Sequence, residues 1–383
     1  MTKKAVPTLL FISALLHLYI GLRLQPDLAF SPLAQWSLTV WLVISTLLIP
    51  APLLVRLSPM GRAGDAIGWI GYLAMGVFSS LFVLTILRDL TLATSGLINM
   101  LRPDTIAMLT LRENSAVGVI ALTVFASLIG VFNARRLAKV VEVNVPIANL
   151  PQALQGFSIV QISDIHVGPT IKHGYIRAIV DAVNKLKPDV VAVTGDIVDG
   201  SVAHLRKHVA PLGELSARHG VYAVTGNHEY YSGADAWVAE LRRLGLHVLM
   251  NQNQVLNHDG TNVLIGGVTD YAAHKFDPTH KSDPLAALVG VTQAIAIKVL
   301  LAHQPRTAPE AEAAGFDLQL SGHTHGGQFL PWKWFVPLQQ PFTAGLHRLR
   351  KLWVYTSRGT GYWGPPIRFG APSEITHLRL VAQ

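Results

Sequence analysis

Five short polar clusters in the second half of the chain hold the residues most able to do chemistry. They are Asp164-Ile165-His166, Gly195-Asp196-Ile197-Val198-Asp199, Gly226-Asn227-His228-Glu229, Ala302-His303 and Gly322-His323-Thr324-His325. Together they offer carboxylate and amide oxygens and imidazole nitrogens, the donor set for a divalent ion such as Mn, Fe, Zn or Mg. In Asp164-x-His166 and His323-x-His325, side chains two apart on an extended backbone project to one side, so each pair can reach one ion or two neighbouring ions. Gly195, Gly226 and Gly322 each precede a polar residue, where glycine permits the sharp turn and close backbone approach of a crowded ion site. A lone Gly-Asp turn or a lone histidine after a strand is an ordinary loop residue. Five such pieces in order are not five unrelated loops. The chain has no cysteine, which excludes disulfides, thiolate zinc sites, iron–sulfur clusters and a cysteine nucleophile.

Each cluster follows an apolar run of strand length: FSIVQIS, DVVAVT, GVYAVT, IKVLLA and DLQLSG. Helix-like stretches at 173–187, 202–218 and 234–244 alternate with the first of these, predicting an α/β sheet. Short apolar runs at 246–250, 262–268, 297–302, 317–320, 352–356 and 374–381 predict a second sheet packed on the first. In open α/β sheets ligands bind beyond the carboxyl ends of the strands, so the clusters converge on one crevice.

The five blocks resemble the full motif series of the calcineurin-like metallophosphoesterases, over roughly residues 155–383. HTHGGQ at 323–328 and SRGTGYWGPPIRFGAPSEIT at 357–376 are similar to the bacterial membrane-associated branch of that family, which includes enzymes hydrolysing UDP-2,3-diacylglucosamine. The resemblance implies a four-layer α/β/β/α sandwich with two divalent metal ions. By motif position, Asp164, His166 and His325 would hold the first metal, Asn227, His303 and His323 the second, and Asp196 would bridge both. Asp199 resembles the family's aspartate that orients the histidine of the Asn-His pair. That histidine, His228, is assigned to leaving-group protonation or transition-state charge stabilisation. The reaction implied is attack of metal-activated water on a phosphate ester or pyrophosphate.

The first 140 residues differ in kind. Of 383 residues half are hydrophobic and only 14% charged, and of sixteen histidines only His17 precedes residue 150. Apolar stretches near 6–22, 33–55, 66–87 and 115–132 each approach the roughly 20 residues needed to cross a bilayer. They predict about four transmembrane helices in a region 1–145, followed by a metallophosphoesterase domain at 146–383. The first stretch is expected to be a retained anchor, since no small-x-small cleavage site follows it. Lys3, Lys4, Arg56, Arg62, Arg135, Arg136 and Lys139 flank one side of the spans, against Arg23, Arg88, Arg102 and Arg112 on the other, which places both ends and the catalytic domain in the cytoplasm. Residues 89–114 are apolar but interrupted by Arg102-Pro103-Asp104, and are expected to be interfacial or re-entrant rather than a fifth crossing. Pro50 and Pro52 should kink or end the second span, and His17 should make an interhelical hydrogen bond or lie near a helix end. The net charge of +8 follows from the span-flanking basic residues without nucleic acid.

Four features outside the five blocks keep open readings. Arg358 could bind a phosphate oxygen or pair with Glu374. FLPWKWFVPLQQPF at 329–342 could be a membrane-interface loop, a lipid-chain pocket, or a buried loop packing the second sheet. LHRLRKL at 346–352 could meet anionic headgroups. His173, His204, His208, His219, His247, His258, His274, His280, His347 and His377 are surface or pocket groups. The partners expected are the lipid bilayer and a phosphorylated, lipid or soluble, substrate. Two alternatives are a transporter or sensor with a regulatory metal domain, disfavoured by how few ionisable groups the spans hold, and a metal-dependent nuclease, disfavoured by the lack of a basic stripe interleaved with aromatics beyond 332–351.

Overall fold

A computed structural model describes residues 5–57 and 61–383. It divides into two compact units, Met1–Phe132 with Gly364–Ile367, and Asn133–Trp363 with Arg368–Gln383.

The first unit is helical: α1 (Ala5–Leu24), α2 (Pro32–Leu48), α3 (Ala51–Leu57), α4 (Gly61–Leu101) and most of α5 (Met108–Arg135). Four segments are long and apolar enough to cross a membrane, Val6–Leu28, Pro32–Val55, Ala63–Leu101 and Met108–Arg135. Many of their apolar side chains face outward, among them Leu22, Leu33, Trp36, Leu47 and Leu128, an arrangement favourable where the surrounding solvent is lipid. Ile20, Leu24, Leu38, Leu42, Leu81 and Val119 pack inside. The expected break at Pro50 is present, between α2 and α3. His17 on α1 donates from Nδ1 to the Ser13 carbonyl (2.7 Å), pairs through Nε2 with the Ser45 hydroxyl on α2 (3.0 Å), and stacks on Phe78, which is the interhelical bond expected of it.

Two expectations are corrected here. Residues 89–114 are not a separate element: they are the end of α4, a short turn and the start of α5. The 41 residues of α4 extend about 60 Å and continue past Arg88 to Leu101, and Asn99 braces the following turn by bonding the backbone N–H and C=O of Ile106. Arg88 is also no loop charge. It is buried and donates to Asp27, to the Ser115 hydroxyl and to the carbonyls of Arg23 and Arg112, while Arg23 and Tyr19 bond the neighbouring Asp89. Lys3, Lys4 and the side chains of Arg56 and Arg62, which enter the same orientation count, lie outside the described residues.

The second unit holds two six-stranded sheets. Its elements are β1 (Lys139–Ile147), β2 (Ser158–Ile162), α6 (His173–Lys185), β3 (Val190–Thr194), α7 (Val202–Val209), β4 (Val221–Val224), α8 (Asn227–Ser232), α9 (Ala234–Arg243), β5 (His247–Val248), β6 (Gln252–His258), β7 (Thr261–Gly267), β8 (Ile297–Leu301), α10 (Ala308–Ala313), β9 (Leu318–Ser321), β10 (Gly345–Leu349), β11 (Leu352–Thr356) and β12 (Glu374–Ala382). The first sheet runs β1-β12-β2-β3-β4-β5 and the second β10-β11-β9-β8-β7-β6. β2 to β5 are mutually parallel, as are β7, β8, β9 and β11.

Strand alternation builds the layers. In the first sheet Val160, Ile162, Val191 and Val193 face α6, α7 and α9, whereas Ile159, Val190, Ala192 and Val224 meet Ile265, Val299, Leu301 and Leu320 of the second sheet. Leu264, Leu300 and Val354 turn the other way, towards Ala308, Ala311 and Phe316. The four-layer α/β/β/α order expected from the resemblance is the observed one. The expected boundary between 145 and 146 falls inside β1, which pairs in parallel with β12; this unit begins at Asn133. β1 and β10 are edge strands whose half-polar composition hides them in sequence. LHRLRKL accordingly contributes to β10, with Arg348 over the Trp353 ring and Arg350 on Glu312.

Candidate metal centre

All five clusters sit past the C-terminal ends of β2, β3, β4, β8 and β9. Parallel neighbours bring the loops together: Asp164 N–H donates to Gly195 O, His166 N–H to Asp196 O and Val167 N–H to Ile197 O. The close approach needs the glycines. A Cβ on Gly226 would fall on the Asp196 carboxylate, and one on Gly322 on Asp164 and Ser163. The donors themselves adopt left-handed backbone: φ is 53° at Asp164, 56° at His166, 52° at Asp196, 69° at His323 and 51° at His325. The extended i, i+2 geometry expected for the two pairs is therefore not what aims them, and each such residue stores strain of about 1–3 kcal/mol that the surrounding bonds must hold.

The side chains fall into overlapping groups. Asp164, His166 and His325 form one, Asp196, His303 and His323 another, and His166, Asp196 and His228 a third, with donor atoms within 4.8 Å in each. His166 Nε2 lies 3.0 Å from His325 Nε2, and His303 Nε2 lies 3.2 Å from His323 Nδ1. Asp196 Oδ2 stands 3.1 Å from His303 Nε2 and 3.9 Å from His166 Nε2, between the first two groups. His323 and His325 thus separate into different groups. Asn227 is buried and its Oδ1 has no hydrogen-bond partner, an orphaned acceptor that a cation would satisfy. Nitrogen pairs at this spacing, converging with carboxylates and an unpaired amide oxygen, fit divalent ions.

Hydrogen bonds orient the rings. His303 Nδ1 donates to Thr194 O (2.8 Å), leaving the Nε2 lone pair for the centre. Asp199 holds two imidazoles, pairing with His228 Nδ1 through one oxygen and lying 3.3 Å from His166 Nδ1 through the other. The contact to His228 lies where the resemblance led one to expect it, and the contact to His166 was not expected from sequence. The Asp164 carboxylate accepts the His323 N–H, and Asp196 Oδ1 the His228 N–H (2.8 Å).

Burial pushes the Asp164 carboxyl above its ordinary range. Burial would do the same to Asp196, but the His303 and His228 imidazoles hold it well below; Asp199 is likewise held low, by His166 and His228. Burial and the neighbouring His303 take His323 down to about 3, and burial with His166 lowers His325. Both rings are thus neutral, the form that ligates a metal. Burial opposes protonation of His303, yet Asp196 and Asp164 raise it well above its ordinary value.

Several residues had no role assigned from sequence. Glu229 is fully buried and its carboxylate accepts the N–H groups of Asp196, Ile197, Val198 and Gly226, clamping the loops after β3 and β4. Its place directly after Asn227-His228 was the available signal. Arg368 is fully buried and bonds the carbonyls of Gly361, His325, Arg358 and Ala371 and the His325 ring; a lone arginine in an apolar PPIRFGAP segment was its signal. Arg358 is settled as the partner of buried Glu374 (2.6 Å). Beside His228 stand Tyr231, 57% exposed, and Trp363, 50% exposed. Gln328 of HTHGGQ holds Trp363 through both its backbone N–H and C=O. Trp332, Trp334, Phe335 and Leu338 are exposed, which rules out the buried-loop reading of 329–342.

Residues 157–327 match the family model described as Calcineurin-like phosphoesterase. An uncharacterized metallophosphoesterase of Campylobacter jejuni is 35% identical over 305 residues, covering 78% of this chain and 78% of that one. The chain belongs to the calcineurin-like metallophosphoesterase family. Proteins named transmembrane protein with metallophosphoesterase domain are similar too: that of Danio rerio is 39% identical over 267 residues and that of Bos taurus 40% over 290. These matches cover 68% and 73% of this metallophosphoesterase chain, and 61% and 64% of the relatives' own length.

Proposed function

We propose that the chain is a membrane-tethered, metal-dependent phosphoesterase that hydrolyses a phosphate ester or pyrophosphate of a lipid or lipid-linked substrate at the cytoplasmic leaflet. The observation that carries the reaction class is the pair of groups Asp164, His166, His325 and Asp196, His303, His323, linked by the approach of Asp196 to His166, with His228 held by Asp199 beside them. Asp164, His166 and His325 would hold one ion, and Asn227, His303 and His323 a second, with Asp196 between them. When bound, two divalent ions supply the charge that neutralises a phosphate ester and the acidity that lets water attack at neutral pH.

The protein's own groups do the remainder. Asp199 keeps the Nδ1 side of His228 occupied, so Nε2 is the atom that meets the departing oxygen and gives it a proton. Glu229 fixes the Asp196 loop against the charge changes of the reaction. Tyr231 and Trp363 border His228 with exposed aromatic surface, and Phe276, 52% exposed, packs on Tyr231. An apolar leaving group or acyl chain would cover this surface, and the four candidate spans would keep the chain at a bilayer. The cytoplasmic side rests on the basic residues beside the spans; setting aside buried Arg88, the count is seven against three.

The test is hydrolysis of a phosphomonoester, a phosphodiester and a phospholipid in mixed micelles by the full chain, metal-stripped and then metal-restored, beside Asp196→Asn. Metal-restored hydrolysis absent from the variant is expected, with preference for the micellar substrate. Hydrolysis that survives both stripping and Asp196→Asn would overturn the reaction class, and equal rates on soluble and micellar esters would overturn the lipid assignment.

A further inference from the structure

A second group of metal-ligating side chains lies at the opposite end of the parallel strands, outside the five clusters. Asp189 immediately precedes β3, His219 lies just before β4, and His258 ends β6 where the hairpin turns through Asp259 and Gly260. Because β3 and β4 are parallel neighbours, their entry residues are adjacent, and His219 N–H donates to Asp189 O (2.8 Å). His258 comes from the second sheet, so the group draws on both.

The Asp189 carboxylate is already half used. Its Oδ2 accepts the N–H and the hydroxyl of Ser158, each at 2.9 Å. This fixes the group and leaves Oδ1 facing His258 Nδ1 at 3.8 Å. His219 Nε2 stands 2.9 Å from the same His258 Nδ1, and one donor atom from each residue lies within 4.8 Å of the others. For a tetrahedral ion with bonds of about 2.0–2.2 Å, ligand atoms stand roughly 3.3–3.6 Å apart, and the observed spacings bracket that value. Phe157 packs on both rings. His258 Nε2 faces Asp259 Oδ2 at 3.5 Å, the carboxylate behind a ligating imidazole that orients it and raises its basicity.

One group opposes a cation here. Arg218 Nη1 lies 3.4 Å from both ring nitrogens of His258 and 4.0 Å from Asp189 Oδ1. Its Nη2 is paired with Asp259 at 2.6 Å, and half of its side chain is exposed. The guanidinium is therefore neutralised by a neighbour and free to move towards solvent, so it weakens the site without filling it.

We propose that Asp189, His219 and His258 form a mononuclear site for a zinc-class divalent cation, clipping the first sheet to the second at the end remote from the catalytic clusters. Two imidazoles and one carboxylate make a three-donor zinc set, with water completing the shell from the half-exposed side. A plain hydrogen bond between two neutral imidazoles spans the same 2.9 Å, and the experiment separates the two.

The full chain in detergent is stripped of metal, equilibrated with limiting free zinc and washed, and bound zinc per chain is measured for wild type, His219→Ala and Arg218→Ala. Cobalt loading and visible absorbance provide the second readout. The expected result is one equivalent fewer in His219→Ala, loss of one component of the cobalt spectrum, and several-fold tighter zinc binding in Arg218→Ala. Thermal unfolding of Asp196→Asn should still rise with zinc, and that rise should be smaller when His219→Ala is added, by the part owed to the second site. Equal zinc content and identical cobalt spectra in wild type and His219→Ala overturn the site. His219 is only partly buried and its truncation is expected to leave the fold intact; if it did not, the Arg218→Ala affinity decides, and no tightening there overturns the proposal.

Discussion

At the C-terminal ends of β2, β3, β4, β8 and β9, seven Asp, Asn and His donors converge, five of them on left-handed backbone, and Asp196 is shared between groups. At the entry ends of β3 and β4, Asp189, His219 and His258 offer the same residue types, but only three donors, with an arginine beside them. At the first end five of the donors themselves take positive φ; at the second none of the three does, and the turn residue Asp259 beside His258 takes it instead. Strain of that kind persists only where surrounding structure over-determines it. Glu229 accepts four backbone N–H groups at the first end, whereas Ser158 alone anchors Asp189 at the second. The difference separates a site built to act on a substrate from one able at most to hold an ion: the first end has a shared carboxylate, an orphaned amide oxygen at Asn227 and an oriented spare imidazole, and Asp189, His219 and His258 have none of the three.

The largest effect should come from the shared carboxylate. Asp196→Asn should reduce metal-restored hydrolysis by on the order of 10³-fold or more, with unchanged circular dichroism; a rate near wild type would erase the contrast between the ends. His228→Ala should cost about 10²-fold in kcat while bound metal stays the same, and a parallel loss of metal would recast His228 as a ligand, which its grouping with His166 and Asp196 also permits. Asp199→Asn should cost about 10-fold and displace the acid limb of the pH–rate profile, because it orients two imidazoles at once; an unshifted profile would reduce it to packing.

A subtler effect is on the stability of metal-free protein. His323 and His325 have folded pKa values below the ordinary 6.5, so below about pH 6.5 the unfolded chain binds protons that the folded chain refuses, and stability falls as pH falls. For His323 that loss runs from 6.5 down to about 3. His303 is raised, so its contribution is complete below 6.5 and is lost as pH rises above it. Burial raises the Glu229 carboxyl to about 7, which acts with the opposite sign between its ordinary 4.5 and 7, so the ring contribution is read by difference. On lowering pH from 7 to 4, stripped wild type should lose more stability than stripped His323→Ala, and denaturant midpoints of the two that move in parallel would contradict the ring environment described. The smallest effect on catalysis should be that of His219→Ala: hydrolysis within about two-fold of wild type, with one zinc equivalent lost. A large loss of rate there would couple two ends that the geometry keeps apart.

Much of the fold and of the candidate site was legible in residue order. Apolar runs of strand length followed by Asp, Asn or His locate all five loops, because a buried parallel strand must be apolar and its exit loop is where polar side chains can converge. Edge strands escaped the same reasoning. β1 carries Glu142 and Asn144, and β10 carries His347 and Arg348, since one side of each is half-exposed and the apolar pattern lapses. Glu229 and Arg368 escaped for another reason: both act by bonding backbone groups far away in sequence, which leaves no local pattern. Arg88 looked like a loop charge because its partners Asp27 and Ser115 are brought to it only by helix packing.

The sequence by itself determined the donor types, the strands that carry them, the four apolar segments and the exclusion of thiol chemistry, because composition and periodicity are local properties. Tertiary structure decided which donors share a neighbour. It separated His323 from His325, placed Asp199 on two rings, gave Arg358 to Glu374, and assembled Asp189, His219 and His258 from both sheets. Those outcomes depend on left-handed backbone and on contacts between residues tens to hundreds of positions apart, and spacing along the chain carries no record of either.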